Sequence, residues 1–140
     1  MPPIGNMLWR IGDILDFDAQ LEWTREAGFN GVGFHASAGA PGQWCGIEPA
    51  ECDSSRRTEL RHALSSFSFI EIHAPFGINL TTDTLSADVE AMAPVLGLAA
   101  DLNVSVVTVH AQLTGAEGAD DRWLSAMSEL DTEAGRAETT

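Results

Sequence analysis

Phe69-Ile70-Glu71-Ile72-His73-Ala74-Pro75-Phe76-Gly77-Ile78-Asn79-Leu80 opens as a strand and leaves as a loop, and the change falls on a histidine. In a strand, residues two apart share a face, so Ile70 and Ile72 stand opposite Phe69, Glu71 and His73. The same pattern recurs on either side. Upstream, Gly31-Val32-Gly33-Phe34-His35 sets Val32 and Phe34 against Gly33 and His35. Downstream, Ser105-Val106-Val107-Thr108-Val109-His110 sets Val107 and Val109 against Val106, Thr108 and His110, and it is β-branched almost throughout. Leu8-Trp9-Arg10-Ile11-Gly12 predicts a first strand, with Trp9 and Ile11 opposing Arg10 and Gly12.

Helical signals fill the gaps between these strands. Phe17, Leu21, Trp23 and Ala27 predict a helix that Asp16 or Asp18 caps and Gly28 ends. Ser54 or Ser55 predicts the start of a second helix reaching Ser65, with Leu60 and Leu64 on its buried side. A third runs from Ser86 to about Leu102, with Pro94 expected to kink it or move its start. Trp123, Met127, Leu130 and Ala134 mark a fourth. Strand and helix alternate four times without an internal linker. That predicts an α/β fold of parallel strands joined by right-handed crossovers, a single domain over residues 1–140.

The two strand faces separate the candidate architectures. A doubly wound sheet is covered by helices on both sides and needs both faces apolar. Here one face is apolar in every strand, while the other turns polar toward the C-terminal end and finishes in His35, His73 and His110. That favours a (β/α) barrel, whose inner face opens into an active-site mouth at the strand ends. Neutral imidazole is a common ligand of divalent metals, and strand ends converge at such a mouth. His73 and His110 are the candidate metal ligands. His35, Glu71, Trp44 and Asn79 are candidates to line a substrate pocket, although the long loop from Ala36 to Asp53 leaves the place of His35 open. A partnership of Glu71 with Arg10 is an equal alternative for that carboxylate. His62 lies among Arg and Glu in mid-helix and reads as solvent-facing.

Composition narrows the function further. Twenty-one acidic residues against seven basic ones give a net charge of −14, and every basic residue is Arg. Nucleic-acid binding draws most of its affinity from a basic surface. Arg56, Arg57 and Arg61 are the one small basic cluster and read as a solvated helix face, which argues against nucleic acid as the main partner. Cys45 and Cys52 are too few and too far apart for a sulfur metal site and read as reduced thiols. No apolar run is long enough to span a bilayer, and the opening Met1-Pro2-Pro3-Ile4-Gly5-Asn6 lacks a signal-peptide pattern, so a cytoplasmic location is expected.

The run from Glu71 to Leu80, with its pattern His73-x-x-Phe76-x-x-Asn79-Leu80, resembles the segment after the third strand in the xylose isomerase-like TIM-barrel superfamily. That superfamily holds sugar-phosphate isomerases and epimerases and endonuclease IV. Val107-Thr108-Val109-His110 resembles its fourth strand, and the passage from Ala27 to His35 its first helix and second strand. The resemblance covers most of Leu8 to Gly115 and implies the N-terminal half of the barrel, strands one to four. It implies a metal-dependent isomerase or epimerase acting on a small sugar or sugar phosphate with a divalent Mn, Zn or Mg ion. The alternatives are an endonuclease IV-like phosphodiesterase and a non-catalytic half-barrel. The carboxylates that complete the family's metal site belong to later strands. The expectation is therefore half a site, completed by self-association, by a second half-barrel on another chain, or by residues missing from a truncated product.

Overall fold

The structure is a computed structural model that describes residues 4–8, 15–40, 44–81, 85–104, 106–110, 115 and 117–137. Its elements follow in the order β1 (Gly5–Met7), α1 (Phe17–Glu26), β2 (Gly31–His35), α2 (Ser54–Leu64), β3 (Phe69–His73), α3 (Leu85–Asp101), β4 (Val106–Thr108) and α4 (Ala119–Ala137). The strands form one parallel sheet in the order β1-β2-β3-β4. Sequential order with right-handed crossovers winds every helix onto the same side of the sheet. A doubly wound sheet reverses direction and covers both sides, so this order is that of a barrel wall.

Local chemistry sets where each helix starts and stops. Asp16 caps α1 by accepting a hydrogen bond from Ala19 N–H, and Asp53 caps α2 by accepting one from Arg56 N–H. The second cap is thus one residue earlier than Ser54, because the aspartate carboxylate reaches the free amide first. α1 ends in a Schellman motif: Phe29 N–H donates to Thr24 O and Gly28 N–H to Arg25 O, with Gly28 at φ +83. α3 ends the same way through Asn103 at φ 58, with Val104 N–H donating to Ala99 O. Both turns aim the chain directly into the next strand. Pro94 lies inside α3 rather than at its start.

The buried stripe of α1 differs from the apolar pattern. Phe17, Gln20, Leu21 and Thr24 are inside, while Trp23 is 43% exposed and rests on Phe29 at the surface. Thr24 and the Gln20 amide nitrogen find partners there, while Gln20 Oε1 is buried without one among the described residues. Gln20 Nε2 donates to Leu15 O, and Thr24 Oγ1 donates to Gln20 O while accepting from Asn6 Nδ2.

The first strand is also earlier than the sequence pattern places it. β1 is Gly5–Met7, tied at its base where Ile4 N–H donates to Asn30 Oδ1. Leu8 follows it in the core on the helix side, 1% exposed, with its N–H donating to Gly33 O. The expected alternation put Leu8 on the opposite face, in phase with Arg10. The apolar Trp9 and Ile11 suggested that phase, but backbone pairing with β2 decides it. Trp9 to Gly12, including the Arg10 alternative for Glu71, lie outside the described residues. β2 and β3 keep their sequence bounds, and β4 is shorter, its ladder with β3 ending at Thr108.

Candidate functional site

Register carries the inner-face residues into rows. Met7, Gly33, Glu71 and Val106 are paired across the sheet, as are His35, His73 and Thr108 one step nearer the strand ends. His110 lies two residues past Thr108 on the same face. A Cβ on Gly33 would stand 2.9 Å from Met7 Cε and 3.6 Å from Glu71 Oε2. Glycine at that position leaves the room into which the Met7 side chain and the Glu71 carboxylate lean. Glu71 Oε1 accepts a hydrogen bond from Thr108 Oγ1 at 2.5 Å.

Above this row the three strand-end histidines stand ring to ring. His35 and His73 have centroids 4.6 Å apart, and His73 and His110 are again 4.6 Å apart. The long loop after β2 does not carry His35 away. It folds back so that Ile47 N–H donates to His35 O, and Gly46 lies against the strand end. A Cβ on Gly46 would come within 2.4 Å of Ser37 O and 2.5 Å of His35 O, so this close approach requires glycine. Trp44 sits on the same loop, held where its Nε1–H donates to Ala38 O, with its ring 5.6 Å from His35.

Burial sets the state of His35. His35 is wholly buried and is pushed from an ordinary 6.5 down to about 4. Desolvation is the largest cause, followed by the like charges of His73 and His110, with Glu71 pulling the other way. His73 Nδ1 lies 3.1 Å from Ala74 O. A carbonyl can only accept, so Nδ1 is the donor in that contact and Nε2 is the nitrogen left to face the site. His110 Nε2 is buried and makes no hydrogen bond among the described residues.

Two residues of the motif after β3 take defined places. Asn79 Oδ1 accepts from both Thr81 N–H and Thr81 Oγ1–H, closing the turn that follows β3. Phe76, the aromatic member of the same motif, was not among the expected site residues, yet it reaches all three histidines. Its centroid is 5.2 Å from His35, 5.2 Å from His73 and 4.9 Å from His110, and 6.1 Å from Trp44. Its place three residues past a strand-end histidine was the available signal. His62 is exposed as expected. Arg56 pairs with Asp18 at 2.7 Å and Arg57 with Asp101 at 2.5 Å, so these two cations of the basic cluster tie α2 to α1 and α3. Cys45 and Cys52 are free and buried, and burial pushes both thiols up.

No family model matches the sequence, and no curated protein matches it significantly. Solved structures do. The chain superposes over 98% of its length on 50% of a D-tagatose 3-epimerase-like protein, with a TM-score of 0.68 at 16% identity. It also matches 50% of a xylose isomerase domain protein from Planctomyces limnophilus over 97% of its own length, with a TM-score of 0.61 at 15% identity. The fold is that of half a (β/α) barrel. The chain thus spans about half the length of both solved proteins.

Among the described residues, no group of three His, Cys, Asp or Glu is placed to hold a metal ion. His73 and His110 have nitrogens suited to ligation, but two imidazoles fall short of the three protein ligands of a catalytic zinc site, so the described residues alone do not fit a divalent ion. No described helix is long and apolar enough to cross a membrane.

Proposed function

We propose that this half-barrel forms one wall of a sugar isomerase or epimerase site, facing a second four-strand half. The observation that carries the proposal is the ring-to-ring row of His35, His73 and His110 at the C-terminal ends of parallel strands. Enzymatic isomerisation beside a carbonyl needs a base for the C–H proton and a group that polarises the oxygens. Neutral imidazoles are suited to hydrogen-bond sugar oxygens. Trp44 offers an aromatic face, and Glu71 brings a carboxylate beneath the histidines.

In this reading the substrate is a small sugar or sugar phosphate. The second half, as a second copy or a different polypeptide segment, supplies the base and the anionic ligands. His73 and His110 would then contribute imidazoles to a shared divalent ion, for which nitrogen donors favour zinc and added carboxylates favour manganese. The free, buried Cys45 and Cys52 are in keeping with a reducing, cytoplasmic setting. The acidic surface supports a small-molecule substrate over nucleic acid.

Native mass spectrometry followed by proton exchange of ketoses in D2O tests the proposal. An assembly of this chain with a second half should retain a divalent ion and exchange the proton beside the ketose carbonyl. His73→Ala with His110→Ala should abolish both. An assembled barrel that takes up neither ion nor sugar would overturn it, and cleavage of an abasic-site duplex by that assembly would favour a phosphodiesterase instead.

A further inference from the structure

Asn30-Gly31 is the one Asn-Gly pair in the sequence, and it lies where three strands begin. Ile4, Asn30 and Ser68 stand one residue before β1, β2 and β3. Ile4 N–H donates to Asn30 Oδ1 at 2.7 Å, and Ile4 O accepts from Asn30 N–H at 3.3 Å and from Gly31 N–H at 3.2 Å. From the other side, Ser68 N–H and Ser68 Oγ–H donate to Asn30 O at 2.8 and 2.9 Å. One exposed asparagine thus ties the bases of all three strands together.

A glycine that follows asparagine has no side chain to shield its backbone nitrogen, which makes the pair prone to deamidation. Once that nitrogen gives its proton to a buffer base, it attacks the side-chain amide carbon of the asparagine. The bond from that carbon to the amide nitrogen breaks, and the nitrogen takes up a proton and leaves as ammonia. A cyclic imide remains. Water opens it at one carbonyl to give aspartate, or at the other to give isoaspartate, whose backbone is longer by one methylene.

Docked β1 holds both reacting groups. The attacking Gly31 nitrogen has its hydrogen engaged by Ile4 O, and the Asn30 side chain is engaged by Ile4 N–H. β1 also lies hard against the glycine, since a Cβ on Gly31 would stand 3.1 Å from Gly5 Cα. The clamp is nevertheless the end of a three-residue strand at the edge of the sheet, with Ile4 itself 61% exposed. Short edge elements of this kind open locally at a small fraction of the global unfolding free energy.

We propose that Asn30 is a spontaneous modification site guarded by β1: the pair is inert while Ile4 is docked and deamidates when the strand lifts. The two products differ in consequence. Aspartate keeps an oxygen that can accept from Ile4 N–H, so β1 can return. Isoaspartate lengthens the backbone between the Ser68 contact and Gly31, so the Gly5↔Gly31 register and the Ser68 bonds can no longer be kept together. A passing opening of the sheet edge is thereby made permanent.

Incubation of the intact chain in mildly alkaline buffer, with and without guanidinium chloride, tests this by peptide mass spectrometry. Electron-transfer fragmentation separates aspartate from isoaspartate. Asn30 should convert at least about tenfold more slowly in the folded chain than in the unfolded one. Ile4→Pro, which removes the N–H that holds Asn30 Oδ1, should speed conversion in the folded chain and leave the unfolded rate unchanged. Isoaspartate-bearing chain, separated by ion exchange, should have a lower urea midpoint than Asn30→Asp. Equal rates in folded and unfolded chain would overturn the guard, as would an unchanged folded rate in Ile4→Pro. If Ile4→Pro does not fold, the comparison within the unaltered chain still decides. An isoaspartate chain as stable as Asn30→Asp would overturn the claim that the opening becomes permanent.

Discussion

The two faces of the sheet are made of the same strands but meet different fates. On the helix side, Val32 is 1% exposed, while Phe34 and Ile72 are fully buried, and Phe17 stands edge-on to Phe34 at 5.3 Å. On the other side, cover fades along the sheet. Gly33 and His35 on β2 are buried, on β3 His73 is buried but Glu71 only half-buried, and Val106 and Thr108 on β4 are both half-buried. Phe69, on the inner face at the base of β3, is 37% exposed. The lesson is that the helix face holds the best-packed residues of these strands, while the inner face is covered only in part. A barrel interior is packed by layers of side chains from all its strands, and four strands supply half of each layer.

This comparison can be broken by substitution. The largest effect should come from Phe34→Ala on the helix face. It removes a fully buried ring and should cost about 4 kcal/mol, read as a shift of the urea midpoint at unchanged slope. A loss near 1 kcal/mol would mean that the helix face is no better packed than the inner one.

The histidine row should add an acid sensitivity. His35 titrates near 4 in the folded chain and near 6.5 when unfolded. Between those values the unfolded chain takes up a proton that the native chain refuses. The stability this site contributes is therefore whole above pH 6.5 and is lost as pH falls toward 4, roughly 3 kcal/mol in all. His35→Gln should flatten the stability profile across that window, measured by urea titrations at stepped pH. A variant as steep as the parent would show that the row is open to water.

The smallest effect should be at the base of the open face. Phe69→Ser should cost about 1 kcal/mol or less in the chain alone, because the ring already meets solvent. The same change should cost more once a second half is docked, which turns the contrast between faces into a measurement of assembly.

Much of this was legible in the residues. The bounds of β2 and β3, the caps and ends of α1, the apolar side of α2 and the placing of three histidines on one face all follow from period-two alternation and short-range hydrogen bonding. The expected strand order follows too, since crossover handedness leaves a chain of alternating units few alternatives. Those are local rules, and a sequence states them directly.

Other features were decided by contacts between distant segments. Trp23 looked like core and lies outside, because Asn6 on another strand satisfies Thr24 and makes a polar stripe the cheaper one to bury. β1 starts at Gly5 because Ile4 and Leu8 find hydrogen-bond partners on Asn30 and Gly33. His35 stays in the row because Gly46, eleven positions on, can approach its carbonyl as no larger residue could. Phe76 reaches all three imidazoles from a turn that Asn79 and Arg122 anchor on Thr81. The sequence by itself determined which face would carry chemistry, since alternation is written in neighbouring residues. Only the tertiary structure decided that the three imidazoles stand ring to ring with Phe76 beside them, since that depends on where separate strands and loops meet in space.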